Sequence, residues 1–356
     1  MKCQIVPPYL LHRIARLDDP ELAPAAEAAR HSLLVDAPFR NIRVGESAPP
    51  STPSRPRPSV INRQLLDPSR SIFDAKNTES LPGDLVRDGS TSELDAAAHV
   101  SAVTEAWEGL GHTHDLYRFE FDRASIDDDN LALLATVHYG RDYDNAFWDG
   151  ERMVFGDGDG MVFERMTRSL SVIGHELAHG VTQYTANLAY RGQSGALNES
   201  ISDVFGSLVV QRALSQSAAE ASWLIGEGIF TDKVEGTALR SMSDPGKAYD
   251  DDVLGKDPQP GHMSDYIDTR DDNGGVHLNS GIPNRAFFLV ATTLGGFAWQ
   301  SAGHIWYQTL TSPSLSPMTT FAEFAAATTA AAGELFGEAS TEQSAVAEAW
   351  ATVGVE

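Results

Sequence analysis

The chain is poor in cysteine, in basic residues and in long apolar runs, and each shortage excludes a class of protein. Its 356 residues include one cysteine, Cys3, so no disulfide bond can form within the chain. Lysine and arginine number 26 against 50 aspartate and glutamate residues, and the net charge of −24 argues against binding to nucleic acid or to anionic membranes. No apolar run approaches the length of a membrane span. We therefore expect a globular protein with no nucleic-acid partner and no membrane span.

The N-terminal residues "MKCQIVPPYL" carry neither the apolar core nor the small-residue cleavage site of a Sec signal peptide. The single cysteine likewise gives no sign of an oxidising compartment. We therefore predict synthesis in the cytoplasm, so that any secretion would follow a non-classical route.

Composition changes along the chain predict four segments. Residues 51–59 are rich in proline and serine, which is typical of an exposed linker that is easily cut. Before them, residues 1–50 contain one helical pattern, "DPELAPAAEAARHSLLVD". Residues 60–165 contain strand-like segments such as "LYRFEFDR" and "LLATVHYG", interrupted by a helix with Ser92 as its N-cap. Residues 166–356 show apolar residues at helical spacing. The fold class is α+β, with a β-rich domain, a mainly helical domain and a cleft between them.

The segment "SVIGHELAHG" suggests a metal site. His175 and His179 are four residues apart, so in a helix they project from one face and lie close enough to share a zinc ion. Glu176 lies beside them, where it would act as a general base on a water molecule activated by the metal. Because catalytic zinc usually has three protein ligands, Glu199 on the following helix is the candidate third ligand.

Two polar residues near Glu199 would orient the ligands. Asp203 lies one turn further on the same helical face, where it would hydrogen-bond the far nitrogen of a ligand histidine, and Asn198 would do likewise. These residues alone are also consistent with an ordinary helix whose histidines form hydrogen bonds within the protein, and with Glu199 as a surface residue.

Four blocks of sequence, taken together, identify a family. They are "DNAFWDGERMVFGDGDG", "VIGHELAHGVTQYTANLAYRGQSGALNESISDVFG", "LRSMSDP" and "DNGGVHLNSGI", and they span most of residues 60–356. In this order they resemble the thermolysin-like neutral zinc metalloendopeptidases. The resemblance implies that the two histidines and Glu199 bind zinc, and that Glu176 takes a proton from water and passes it to the leaving amine.

The resemblance also assigns roles outside the zinc motif. His277 and Tyr190 match the donors that stabilise the oxyanion on the scissile carbonyl, and Asp272 matches the acid that orients the histidine. Arg240 matches a residue that binds a substrate carbonyl. Taken singly, each of these residues also fits an ordinary turn, core or surface position.

Substrate selection follows from the same resemblance. Asn145 and Ala146 match an edge strand that pairs with an extended peptide. The positions that line the adjoining pocket in the family are all apolar in this chain, namely Phe163, Val172, Leu239, Ile225 and Met166. We therefore predict cleavage on the amino side of Leu, Ile or Phe.

The chain departs from the family where secreted members hold a double calcium site. The matching positions are mostly uncharged and carry Ser171, Val210, Ser222, Leu224 and Glu227. Uncharged side chains cannot supply the carboxylate ligands that calcium needs, so we expect the double site to be absent, with calcium elsewhere left open.

The N-terminal stretch "CQIVPPYLLHRIA" resembles the short pro-segment of the protealysin-like subgroup. The resemblance implies a zymogen in which residues 1–50 cover the cleft as an intramolecular inhibitor until the enzyme cuts them off. The thiolate of Cys3 would then be able to occupy the open zinc position, and the simpler interpretation is a small buried apolar side chain.

Two other functions remain to be weighed. A zinc protein without proteolytic activity would act as a binding module, but it would need the loss of Glu176, His277 or a ligand, and all are present. A zinc exopeptidase or amidase would need a charged anchor for a substrate terminus, and the predicted cleft offers only Arg240. We expect a monomeric endopeptidase that acts on proteins and peptides.

Overall fold

The computed structural model describes residues 3–42, 68–91 and 101–356. The predicted linker at 51–59 and the predicted N-cap Ser92 therefore lie outside the described residues.

The N-terminal segment is a short strand followed by two helices. Strand β1 spans Cys3–Gln4, helix α1 spans Pro8–Ile14 and helix α2 spans Ala23–Ile42. Pro7 and Pro8 begin α1, where the missing N–H group of proline has no helical partner to lose. The helix predicted in this part of the chain is confirmed.

A six-stranded mixed sheet incorporates β1. Its other strands are β2 (Arg70–Thr78), β3 (Asp84–Asp88), β4 (Leu133–Tyr139), β5 (Ala146–Trp148) and β6 (Met153–Phe155). The order is β1-β5-β6-β4-β2-β3, and β1 runs antiparallel to β5. Strand β5 is therefore the edge of the part of the sheet formed by β2 to β6, and the N-terminal segment extends the sheet along that edge.

One strand prediction was wrong. Helix α3, described over Ser101–Asp115, continues into a π-helix at Leu116–Glu120, where "LYRFEFDR" had suggested a strand. Tyr117 and Phe121 lie four residues apart and both pack on Phe205, with ring centroids 5.4 and 5.7 Å away. Their contacts with this helical neighbour override the strand preference of aromatic residues.

The rest of the chain is mainly helical, as predicted. The helices are α4 (Leu170–Tyr184), α5 (Gly192–Leu214), α6 (Asp272–Asn279), α7 (Gly281–Leu294), α8 (Ala302–Thr311), α9 (Phe321–Phe336) and α10 (Thr341–Thr352). Short strand pairs join β7 (Leu224–Ile225) to β8 (Arg240–Ser241) and β9 (Asp250–Asp251) to β10 (Gly255–Lys256). A sheet-containing first part and a helical second part confirm the α+β class.

Helices α4 and α5 approach each other through glycine. A Cβ atom added to Gly174 would lie 3.0 Å from the Cα atom of Gly206. A Cβ atom added to Gly206 would lie 2.6 Å from the carbonyl oxygen of Ser171. This close contact brings the face of α5 that carries Glu199 against the histidines of α4.

Candidate active site and metal centre

The two histidines and the glutamate predicted to bind metal converge. His175 Nε2 and His179 Nε2 lie 3.0 Å apart, and each lies 3.5 Å from a carboxylate oxygen of Glu199. All three side chains are fully buried, and their ligand atoms lie within 4.8 Å of one another. Two imidazole nitrogens and one carboxylate form the donor set typical of a catalytic zinc ion.

Polar neighbours fix the orientation of both imidazoles. His175 Nδ1 donates to Asp203 Oδ1 at 2.7 Å, so that in the neutral imidazole Nε2 is the nitrogen available to a metal. His179 Nδ1 lies 2.8 Å from Asn198 Oδ1, as the sequence suggested, and 3.0 Å from Ser202 Oγ, which the sequence reasoning missed. Ser202 lies one residue before Asp203, so helical spacing from Glu199 would have found it.

Asp203 also connects the metal centre to Arg240. The guanidinium Nε and Nη2 atoms donate to the two carboxylate oxygens, each at 2.8 Å, and Asn284 Nδ2 donates a further bond at 2.8 Å. Burial alone would raise the pKa of Asp203, but the charges and hydrogen bonds of Arg240 and His175 together outweigh it and lower the pKa to about 2. The fully buried pair is thus held in one orientation. Asn284 was not predicted, because only the fold brings it here.

The predicted oxyanion donors lie together beside Glu199. His277 Nδ1 lies 2.6 Å from Asp272 Oδ1, and His277 Nε2 lies 3.2 Å from the Tyr190 hydroxyl, which donates to Glu199. Burial alone would lower the pKa of His277, but Asp272 and Glu199 raise it above its ordinary value. Both ring nitrogens are therefore suited to donating hydrogen bonds.

The backbone before His277 explains the sequence "DNGG". Asp272, Asn273, Gly274 and Gly275 all have positive φ, between 51° and 89°. Glycine and asparagine tolerate this region better than other residues. The turn lets the Asp272 carboxylate accept from the backbone N–H of His277 at 2.8 Å as well as from its ring.

Glu176 lies at the edge strand. Its Oε2 atom accepts a hydrogen bond from the backbone N–H of Trp148 at 3.0 Å, and the side chain is fully buried. The general-base candidate is therefore fixed beside β5, the strand along which the N-terminal segment runs.

The N-terminal segment crosses this constellation as an extended peptide. The Gln4 carbonyl oxygen accepts from His277 Nε2 at 2.9 Å. The Ile5 N–H donates to the Ala146 carbonyl at 3.2 Å, and the Ile5 carbonyl accepts from Arg240 Nη1 at 3.0 Å.

One asparagine side chain continues the pairing. The Val6 N–H donates to Asn145 Oδ1 at 2.9 Å, and Asn145 Nδ2 lies 3.4 Å from the Val6 carbonyl. The structure therefore places Asn145 and Ala146 along an extended backbone, here that of the chain's own N-terminus.

The predicted apolar pocket residues are buried in the same core cluster as Ile5. Phe163, Val172 and Leu239 are at most 1% exposed, and Ile5 is fully buried.

At two positions where the family's calcium-binding carboxylates are replaced, serine hydroxyl groups form hydrogen bonds within the protein. Ser171 Oγ accepts from the backbone N–H of Gly226 at 3.0 Å, and Ser222 Oγ donates to Glu227 at 3.0 Å. The absence of the double calcium site stays a prediction.

The possible role of the Cys3 thiolate as a zinc ligand stays a prediction as well. The backbone of Cys3 pairs with Trp148, but its side chain lies outside the described residues.

Comparison with known proteins identifies the family. The model "Thermolysin metallopeptidase, catalytic domain" matches residues 61–183, and "Thermolysin metallopeptidase, alpha-helical domain" matches residues 186–355. An extracellular metalloprotease of Pectobacterium carotovorum subsp. carotovorum is 48% identical, covering 99% of this chain and 96% of that protein. A thermolysin of Bacillus caldolyticus is 41% identical, covering 80% of this chain and 50% of that protein. The solved precursor of protealysin, a metalloproteinase from Serratia proteamaculans, is 46% identical with a TM-score of 0.87, covering 99% of this chain and 100% of that chain.

The prediction of cytoplasmic synthesis, with any secretion following a non-classical route, was wrong. The Pectobacterium relative, which aligns over nearly its whole length, is named an extracellular metalloprotease. The reasoning failed because an unrecognised targeting signal gives no information about where a protein acts. Within the described residues, none of the helices combines the length and apolarity needed to cross a bilayer.

The two family models together cover residues 61–183 and 186–355, and the similarity to the protealysin precursor includes the N-terminal segment. The site offers two histidines and a glutamate at metal-binding distance, with a general-base candidate beside them. This chain belongs to the thermolysin metallopeptidase family, as a protealysin-like zinc endopeptidase.

Proposed function

We propose that this endopeptidase acts outside the cell, as a monomer, on peptide bonds at the amino side of large apolar residues. The observation that carries the proposal is the extended backbone of residues 4–6, which the site holds by hydrogen bonds as it would hold a substrate. We assign residues 60–165 and 166–356 to the two domains whose cleft receives that backbone.

His175, His179 and Glu199 would hold the zinc ion, which when bound supplies a Lewis acid that polarises the scissile carbonyl and acidifies water. Glu176 accepts the proton of the attacking water and passes it to the leaving nitrogen. Its bond to the Trp148 N–H keeps the carboxylate beside the substrate strand during both transfers.

Charge that develops on the carbonyl oxygen meets two donors. His277 already donates to a carbonyl in this structure, and Tyr190 lies 3.2 Å from the same ring nitrogen. Asp272 positions His277, while Arg240 fixes the next carbonyl of the substrate. Such donors act mainly on the transition state, and each contributes about 10²–10³ in kcat in comparable sites.

Selectivity would come from the pocket of Phe163, Val172 and Leu239. Ile5 is fully buried at the position that follows the addressed carbonyl, which supports a preference for a large apolar side chain there. Burying such a side chain contributes roughly 1.5–3 kcal/mol, enough to bias cleavage strongly against polar residues.

Latency would come from residues 1–50, which we assign as the pro-segment, removed by self-cleavage within the linker at 51–59. Helix α2 adds contacts beside the cleft, since Ser32 Oγ accepts from the Asp144 N–H at 2.9 Å. Helix α1 adds others, because Arg13 donates to the carbonyl oxygens of Asp252 and Val253 at 2.8 and 3.1 Å. The cleft would thus remain closed until the linker is cut.

The test uses internally quenched peptides with both ends blocked, offered to the processed protein and to its Glu176→Gln variant. We expect cleavage before Leu, Ile or Phe by the parent protein only, lost with a zinc chelator and restored by zinc. Peptides with Asp in place of the apolar residue are the matched control. Cleavage only of peptides with a free terminus would indicate an exopeptidase. Zinc binding without any cleavage would indicate a binding module.

A further inference from the structure

We propose that the Gln4–Ile5 peptide bond is itself a substrate of the active site, cut within the zymogen before the linker is cut. The proposal rests on the proposed function and adds a second, internal cleavage site. That bond joins the two residues whose carbonyl oxygens face His277 and Arg240.

The residues after the bond are held in the manner of a substrate. The Ile5 N–H, which belongs to the bond itself, donates to the Ala146 carbonyl on the edge strand at 3.2 Å. Val6 bonds to Asn145 through its N–H at 2.9 Å, and the Ile5 side chain is fully buried. These contacts fix both the direction and the register of the segment.

The residues before the bond continue the same pairing. Cys3 pairs with Trp148 and Gln4 pairs with Phe147 in antiparallel register. The Trp148 N–H donates to Glu176 Oε2 at 3.0 Å, so the candidate base lies next to the strand on which this half of the peptide rests. The Gln4 carbonyl thus contacts the oxyanion donor His277 while its strand lies beside Glu176, as expected for a bond placed for cleavage.

The cleavage is an ordinary hydrolysis. The oxygen of water adds to the carbonyl carbon of Gln4 while Glu176 accepts a proton, and the carbon–nitrogen bond to Ile5 then breaks. The proton passes from Glu176 to the nitrogen of Ile5. The second proton of the water also passes to that nitrogen, so the products are a carboxylate on Gln4 and a protonated amino group on Ile5, with water as the only co-reactant.

The cut need not release the pro-segment. Contacts from Val6 onward remain, including the bonds of Arg13 to the loop at Asp252 and Val253 and the bond of Ser32 to the backbone of Asp144. A nicked chain would therefore stay latent, with the new amino group of Ile5 close to the buried carboxylates of the site. Nicking and activation become two separable events.

The experiment follows the zinc-loaded full chain by intact mass and N-terminal sequencing, beside casein cleavage and beside the Glu176→Gln variant. We expect a species that begins at Ile5 to appear before the linker is cut, and before casein is cleaved. Its rate of formation should not depend on protein concentration, because the cut is intramolecular. The Glu176→Gln chain should retain the residues before Ile5 throughout.

Two variants make the result specific to this bond. Ile5→Pro removes the N–H that pairs with Ala146 and should slow the nick ~100-fold, since a misplaced reacting bond is attacked far more slowly. Val6→Ala is the matched control, because it keeps every backbone N–H, and it should still be nicked. Both variants release the same mature enzyme after linker cleavage, so their final casein activity should equal that of the parent.

The outcomes separate the proposal from the proposed function. If the parent sheds its whole pro-segment and cleaves casein without ever yielding a chain that begins at Ile5, the second cleavage site is refuted and the endopeptidase stands. If neither bond is cut and neither casein nor the blocked peptides are cleaved, both fail.

Discussion

Removing the carboxylate of Asp36 best tests how helix α2 contributes to latency. It is 1% exposed and accepts hydrogen bonds from the Tyr143 hydroxyl at 2.6 Å and from Asn145 Nδ2 at 3.0 Å. Asp36→Ala would leave two buried donors without this acceptor, at roughly 1–3 kcal/mol each. The carboxylate is itself costly to bury, so we take the lower part of that range, about 2–3 kcal/mol in total. The closed state should then be weakened about 30-fold to 150-fold.

The assay measures the fraction of molecules with an open cleft. In a Glu176→Gln background, which prevents self-processing, a fluorescent peptide with an apolar residue at the pocket position competes with the pro-segment. The apparent affinity of the peptide is proportional to the fraction of molecules in the open state. Asp36→Ala should therefore raise that affinity by the same factor, about 30-fold to 150-fold.

The control lies on the same helix. Glu27 is exposed on α2, and Glu27→Ala removes a charge of the same sign without removing any buried acceptor. Asp36→Asn keeps one acceptor oxygen and should fall between the two. If Asp36→Ala binds the peptide no better than Glu27→Ala does, the Asp36 hydrogen bonds add nothing to latency and the reasoning is refuted.

Three further predictions concern the metal, the oxyanion and pH. Asp203→Asn should weaken zinc binding about 10-fold to 100-fold, measured by competition with a chelating dye. Tyr190→Phe should lower kcat of the processed enzyme about 10²–10³-fold with little change in KM, measured with a quenched peptide. Burial, and then Asp159, raise the pKa of Asp144, whose backbone bonds to helix α2. The charge of Asp36 on helix α2 adds to this shift, so closure itself raises the pKa of Asp144. The closed state is therefore favoured at low pH, and this preference is lost as pH rises through the raised value. The peptide competition should therefore show more opening at higher pH, and Asp144→Asn should flatten that dependence.

The sequence was sufficient to group the candidate metal ligands because their geometry is local. Two histidines four residues apart on a helix must lie on one face, whatever the rest of the fold does. The third ligand, Glu199, required only that the next helix pack against the first, and the glycines at 174 and 206 permit that contact. The α+β class followed from the change in periodicity near residue 165 for the same reason.

Residues whose position depends on distant chain segments could not be predicted from the sequence. Asn284 contacts Asp203 across 81 positions of sequence, and nothing in its local pattern indicates that role. The "LYRFEFDR" segment failed in the opposite way, because its local preference for strand was overridden by packing on Phe205. Likewise, the resemblance indicated that the N-terminus covers the cleft, but the register of Gln4 and Ile5 is a property of the folded pairing alone.

That register also shows how two separate parts of the pro-segment support each other. Asn145 Nδ2 lies 3.0 Å from Asp36 on helix α2 and 3.4 Å from the carbonyl of Val6 in the cleft. Asp36 therefore holds the Asn145 amide in the orientation in which its oxygen accepts from Val6. When helix α2 dissociates, the Asn145 side chain regains its rotamer freedom. Its hydrogen bonds to Val6 are weakened as a result. Losing either contact thus favours losing the other, and release of the pro-segment should be cooperative rather than gradual.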